Sequence, residues 1–142
     1  MKKLVALCLA IVLTFAAGES IHLLAKRTAR VKNAEITLEP ACGYTKADLK
    51  TAANIVKRRF LWGRSTLLKL AFDQNLTETA GPEWAAHYGA DEAVVLTSDF
   101  VTDDSEALFG QGFEPGHTYR GWQWILVRSH GGRWRLKTWG YA

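Results

Sequence analysis

Cysteine is nearly absent from this chain, and that removes the usual support of small exported domains. Only Cys8 and Cys42 occur. Cys8 lies inside an apolar N-terminal run, and almost nothing hydrophobic precedes it, so it does not read as a lipid-attachment cysteine. If that run is removed, Cys42 stands alone and no intramolecular disulfide is available. Histidine is sparse and scattered: His22, His87, His117 and His130 make no His-x-His or His-Glu-x-x-His zinc pattern, so no metal and no cofactor is expected. A nucleophile elbow, a phosphate-binding glycine loop and a Cys/His pair are all missing. No internal repeat is visible. Basic residues are missing altogether from Leu70 to Tyr119, a stretch with ten acids. Eleven basic residues precede it from Ile21 to Lys69, and five follow it from Arg120 onward. An acidic block between two basic ones offers no one-signed surface for nucleic acid; such charges pair within a fold.

What is present at the N-terminus reads as an export signal. Lys2 and Lys3 precede an apolar run from Leu4 to Ala17 that only Thr14 interrupts, and the small residues Ala16 and Gly18 suit cleavage before Glu19. The run is shorter than the roughly 20 apolar residues of a membrane-spanning helix. Retention as an anchor is the alternative, because Ile21 to Ala25 is apolar again. Loss of Lys2 and Lys3 lowers the formal charge from +4 to +2. The expected organisation is a signal peptide at 1–18, a tether or adaptor at 19–44 and a single α+β domain at 45–142.

Within that domain, Leu49, Ala52, Ala53, Val56 and Phe60 form one helical stripe over 46–61. Thr45 with Asp48 is a loose capping box, and Lys57, Arg58 and Arg59 suit the helix's carbonyl end. A strand is expected at 66–73, with an edge strand around Ile36-Thr37-Leu38 stopped by Pro40. Pro82 early in a helix and Gly89 as its stop predict a two-turn helix over 79–89. Strands follow at 92–101, 118–129 and 133–141, the last two joined by a Gly131-Gly132 turn. The strand around Trp122, Trp124 and Leu126 is apolar on both faces, which belongs mid-sheet. The expected fold is α+β: a long N-terminal helix and a short helix packed on a curved antiparallel sheet of about four strands.

The strings Tyr88-Gly89-Ala90-Asp91-Glu92-Ala93-Val94-Val95-Leu96-Thr97-Ser98-Asp99-Phe100, Thr118-Tyr119 through Trp122-Gln123-Trp124-Ile125-Leu126-Val127-Arg128, and Gly132-Arg133-Trp134 through Trp139-Gly140-Tyr141 carry a resemblance. Together the chain resembles a domain of unknown function found in small exported bacterial proteins and lipoproteins. That family is grouped with the nuclear-transport-factor-like (cystatin-related) fold. The resemblance covers roughly residues 45 to 141 and implies a fold and an extracytoplasmic location. It assigns no activity and so no catalytic residues. Thr138 stands where the pattern has an acid, and Gly116-His117 where it has Asn-Ser.

Trp122, Trp124, Trp139 and Tyr141 are the candidate ligand-binding residues, since aromatic walls characterise small-molecule sites. Plain packing competes with that reading, above all for Trp124 and Trp134. Asp99, His117 and Tyr119 are the only set suited to proton transfer, as in a small lyase or isomerase. Alternation argues against them: Asp99 shares a face with Val95 and Thr97, opposite the greasier Val94, Leu96 and Phe100. Asp99, Asp103, Asp104 and Glu106 lack calcium-loop spacing and read as a solvated loop, extended by Gly110 to Gly116 into a candidate lid. Asn75-Leu76-Thr77 fits a glycosylation sequon, a short and common match. The expected function is binding of a small molecule, peptide or envelope component in a helix–sheet cavity. A lyase or isomerase is second, and an association module, a possible homodimer through the sheet's outer face, is third. Membrane contact is expected only through an uncleaved signal segment.

Overall fold

The computed structural model describes residues 19–26, 28, 30–104 and 112–141. The signal segment and Glu106 lie outside the described residues. Residues 19–26, 28 and 30–32 are helical and form α1. There follow β1 (Glu35–Thr37), α2 (Lys46–Trp62), β2 (Ser65–Phe72), α3 (Gln74–His87), β3 (Glu92–Thr102), β4 (Thr118–Arg128) and β5 (Arg135–Gly140). Among the described residues no helix is long and apolar enough to cross a membrane.

The long helix α2 forms where its stripe and cap call for it. Asp48 N–H donates to Thr45 Oγ1 at 3.2 Å, and Thr45 N–H donates to Asp48 Oδ2 at 3.0 Å, a complete capping box. Leu49, Ala52, Ala53, Val56 and Phe60 are all buried, facing Leu67, Leu70, Val94, Leu96, Phe100, Trp124 and Leu126 of the sheet. Each large apolar side chain so buried contributes about 1.5–3 kcal/mol. The helix stops at Gly63, where a Cβ would sit 2.8 Å from the Arg59 carbonyl oxygen.

The architecture is α+β, and the sheet differs from expectation in two ways. It has five strands rather than about four, in the order β1-β2-β3-β4-β5, and it is mixed rather than antiparallel. β1 pairs parallel to β2, with Ile36 opposite Leu70; the other three pairings are antiparallel. Parallel neighbours need a crossover, and α2 supplies it between β1 and β2. The long helix is therefore not the N-terminal element, since α1 and β1 precede it. Segment 19–44, read above as a tether, docks on the domain at its far end. Val31, Ala34 and Leu38 join the core, and Arg30 holds Asp103 through two bonds of 3.1 and 2.7 Å. β4, apolar on both faces, lies between β3 and β5.

Helix α3 is also longer than two turns, 14 residues with Pro82 in its interior. It begins at the Asp73 cap, whose side chain accepts from Leu76 N–H at 2.9 Å. Tertiary position explains the extension. β2 stops pairing with β3 at Phe72 and Leu96, so the start of β3 presents unpaired backbone groups that need partners. α3 covers that edge: Val95 N–H donates to Thr77 Oγ1 at 3.0 Å, and Asp73 N–H donates to Val95 O at 3.0 Å. Ala85 packs with Ala93 and Val127, the sheet face away from α2. In the β4–β5 turn the positive φ angles fall on His130 (53°) and Gly131 (62°) rather than on the Gly-Gly pair. Asp91 Oδ2 holds the His130 N–H at 2.7 Å.

Candidate ligand-binding cleft

At the carbonyl end of α2 a cleft of about 240 Å³ opens between the helix and the sheet. Its aromatic walls come from Phe60 on α2, Phe100 on β3, Trp122 and Trp124 on β4, Trp139 on β5 and Phe113 before β4. Phe60, Phe100 and Trp124 form a buried base, whereas Trp139 is 44% exposed and stands at the rim. Arg59, Arg64 and Ser65 complete the lining with Gly63.

The cleft is held in shape by stacked and edge-on rings. Trp124 Nε1 donates to Ser98 Oγ at 2.8 Å, a buried bond that fixes the indole. Trp124 stacks on Trp139 with centroids 6.1 Å apart and meets Phe60 edge-on at 5.7 Å. The Arg59 guanidinium sits over the other ring of this stack, 4.6 Å from the Trp139 centroid. Trp122 contacts Phe100 at 5.7 Å, Phe113 at 5.4 Å and Tyr141 at 5.0 Å. Its indole N–H is buried without a partner among the described residues.

Three of the four proposed ligand residues, Trp122, Trp124 and Trp139, thus share one cleft, and Tyr141 backs Trp122 from outside the lining. The sequence reading passed over Arg59, Arg64, Phe60, Phe100 and Phe113 as ligand contacts. Arg59 was assigned to the helix dipole; its position three residues after the buried Val56 places it at the edge of the stripe, beside the cleft mouth.

Asp99, His117 and Tyr119 are not brought together as a proton-transfer set. A β-bulge explains this. Ser98 pairs with Trp122 and Phe100 with Tyr119, so β4 carries one extra residue opposite Asp99. Gly121 occupies the bulge at φ 66°. Asp99 Oδ1 accepts its N–H at 2.9 Å, and Arg120 Nη1 lies 3.4 Å from Oδ2. Tyr119 lies on the opposite face, stacked on Phe100 at 5.2 Å, with its hydroxyl accepting from Glu114 N–H at 2.9 Å. His117 meets the Tyr119 ring edge-on at 4.8 Å and its Nδ1 is 3.5 Å from Glu114 Oε2. No hydrogen bond joins the three side chains among the described residues.

A second polar cluster lies at the other end of α2. Arg128, 14% exposed, reaches Asp48 Oδ1 at 2.8 Å and Glu92 Oε2 at 2.9 Å, over the Trp134 ring at 4.3 Å. Hydrogen bonds from Thr45, then from Arg128, hold the Asp48 carboxyl down at about 2. Burial works against the Arg128 charge, but its bonds to Asp48 and Glu92 outweigh that and raise its pKa. Burial, then the Glu92 charge, raises the Tyr44 phenol above its ordinary value. Arg128 thus bridges Asp48 of α2 and Glu92 of β3, which makes the cluster a latch between helix and sheet. Among the described residues no three metal-ligating side chains gather to hold a cation.

Comparisons with protein-family models, with curated proteins and with solved structures returned no match.

Proposed function

We propose that this chain is an exported, non-enzymatic binding domain that takes a small molecule in the cleft at the end of α2. The observation that carries the reading is the convergence of Trp122, Trp124 and Trp139 on one open cavity with few polar groups. Aromatic walls with a small number of placed polar groups suit binding. An acid–base enzyme needs convergent titratable groups, and among the described residues the cleft lining has no carboxylate, histidine or tyrosine. We read the fold as nuclear-transport-factor-like, supported by the long helix laid across one face of the sheet with a cavity at its end. The Lys2-Lys3 and Leu4–Ala17 pattern supports export with removal of residues 1–18.

Native mass spectrometry of the protein isolated from its own host is the test. A mass matching the chain from Glu19, with a retained small ligand displaced by Trp139→Ala, is the expected result. An intact Met1 would remove the cleaved-signal part. A protein whose tryptophan fluorescence responds to no small-molecule extract of the host would remove the binding part.

A further inference from the structure

We propose that α1 is a membrane-surface helix that seats the exported domain on an anionic lipid bilayer once residues 1–18 have been removed; this rests on the export reading above. Three large apolar side chains of α1 face water: Ile21 is 68% exposed, Leu23 52% and Leu24 60%. Among the described residues they are three of seven exposed large hydrophobics, and they fall within four consecutive positions. Single exposed apolar residues are ordinary, but a contiguous group marks an interaction surface.

The way α1 docks keeps that group in the open. Residues 19–26 and Thr28 are all exposed, whereas Arg30 and Val31 are partly buried. Val31 packs against the core, and Arg30 holds Asp103 at 2.7 Å. The helix is thus pinned by its last turn, and its first two turns stand clear of the domain. Neighbouring charge and the preceding sequence name what covers them. From Ser20 to Ala34 the chain carries Lys26, Arg27, Arg30 and Lys32 and no acid. Lys26 and Lys32 are exposed. Apolar side chains beside long cationic ones suit a bilayer surface, where the first enter the acyl boundary and the second reach anionic headgroups. The apolar run Leu4–Ala17 ends one residue before α1 begins. A signal segment lies in the membrane during export, so α1 emerges at the bilayer surface. A second copy of the chain is a poorer occupant, because it would bring two basic, acid-free segments together. One isoleucine and two leucines carry about as much hydrocarbon as one myristoyl chain, which alone gives marginal, reversible binding; the lysines supply the second signal.

The test is flotation of the exported chain, its start at Glu19 verified by mass, with vesicles of phosphatidylcholine alone or with about 30% phosphatidylglycerol. The chain should float with the anionic vesicles and much less with the neutral ones. Lys26→Gln and Lys32→Gln should each weaken binding roughly fivefold, and about 0.5 M salt should weaken it further through screening. The Ile21→Ser, Leu23→Ser, Leu24→Ser triple variant should not float, with Tm unchanged because all three side chains are exposed. A chain from Glu19 that does not float with anionic vesicles, or flotation that survives the triple change, overturns the proposal and leaves the export reading standing. Dimerisation without flotation, lost in the triple variant, assigns these side chains to a second copy and also overturns it. Retention of Met1 removes the cleaved-signal reading and takes the proposal with it.

Discussion

Replacing Asp48 by Asn tests the electrostatic worth of the Asp48 carboxylate, which Thr45 and then Arg128 hold at the start of α2. The amide keeps an acceptor oxygen for the Thr45 N–H, so the capping geometry survives while the charge opposite Arg128 is lost. The Asp48 carboxyl is held at about 2 instead of its ordinary 3.8. At about 1.4 kcal/mol per tenfold, that depression corresponds to roughly 2.5 kcal/mol. With 26% of the side chain still in water, screening trims the figure to about 1–2 kcal/mol. The sign follows from the direction of the depression. A carboxyl whose folded pKa is lowered stabilises fully above 3.8, and the contribution fades as pH falls toward 2.

The assay is urea denaturation of wild type and Asp48→Asn at pH 7, 4, 3 and 2.5. The variant should be less stable by about 1–2 kcal/mol at pH 7, and the two curves should converge as the wild-type carboxyl protonates. A difference that stays constant down to pH 2.5, or one under ~0.5 kcal/mol at pH 7, would refute the reasoning. Arg128→Ala gives the harsher control. It leaves Asp48 and Glu92 without their shared cation and strips the Trp134 ring, costing about 3–4 kcal/mol and lowering Tm by roughly 10 °C or more.

Val56, on the inner stripe of α2, is fully buried, so Val56→Asp should abolish cooperative folding by circular dichroism; an unchanged Tm would show that the stripe is not core. Trp124→Phe removes the donor to Ser98 Oγ, itself buried, and should cost about 2–4 kcal/mol in chemical denaturation through the orphaned hydroxyl and the lost ring volume. Gly121→Ala should cost about 1–2 kcal/mol, because an L side chain at φ 66° is strained even though nothing crowds the added Cβ; no loss would mean that the bulge is dispensable.

The parts of the fold that were legible in the sequence are those set by local periodicity. The α2 stripe and cap need only residues three or four apart, and the two apolar faces of β4 need only alternate positions. What stayed hidden depends on distant partners. Nothing between 35 and 37 announces a parallel pairing with β2; that follows from where α2 delivers the chain. Pro82 reads locally as a helix start because its missing N–H costs least there. The true start lies nine residues earlier at Asp73, because the unpaired edge of β3 needs Thr77 and Asp73 beside it.

The cleft shows the same division. Strict alternation places Trp122 and Trp124 on one face of β4, as found, but assigns Tyr119 to the opposite face with Gln123. The extra residue at Gly121 reverses that assignment, and Tyr119 stacks on Phe100 within the aromatic group. The same bulge gives the Asp99 carboxylate a backbone N–H to hold on the sheet's other face. One glycine thus extends the aromatic wall and holds Asp99 on the other face of the sheet. A cleft built this way is walled by aromatic rings, and Asp99 is not among its described lining residues.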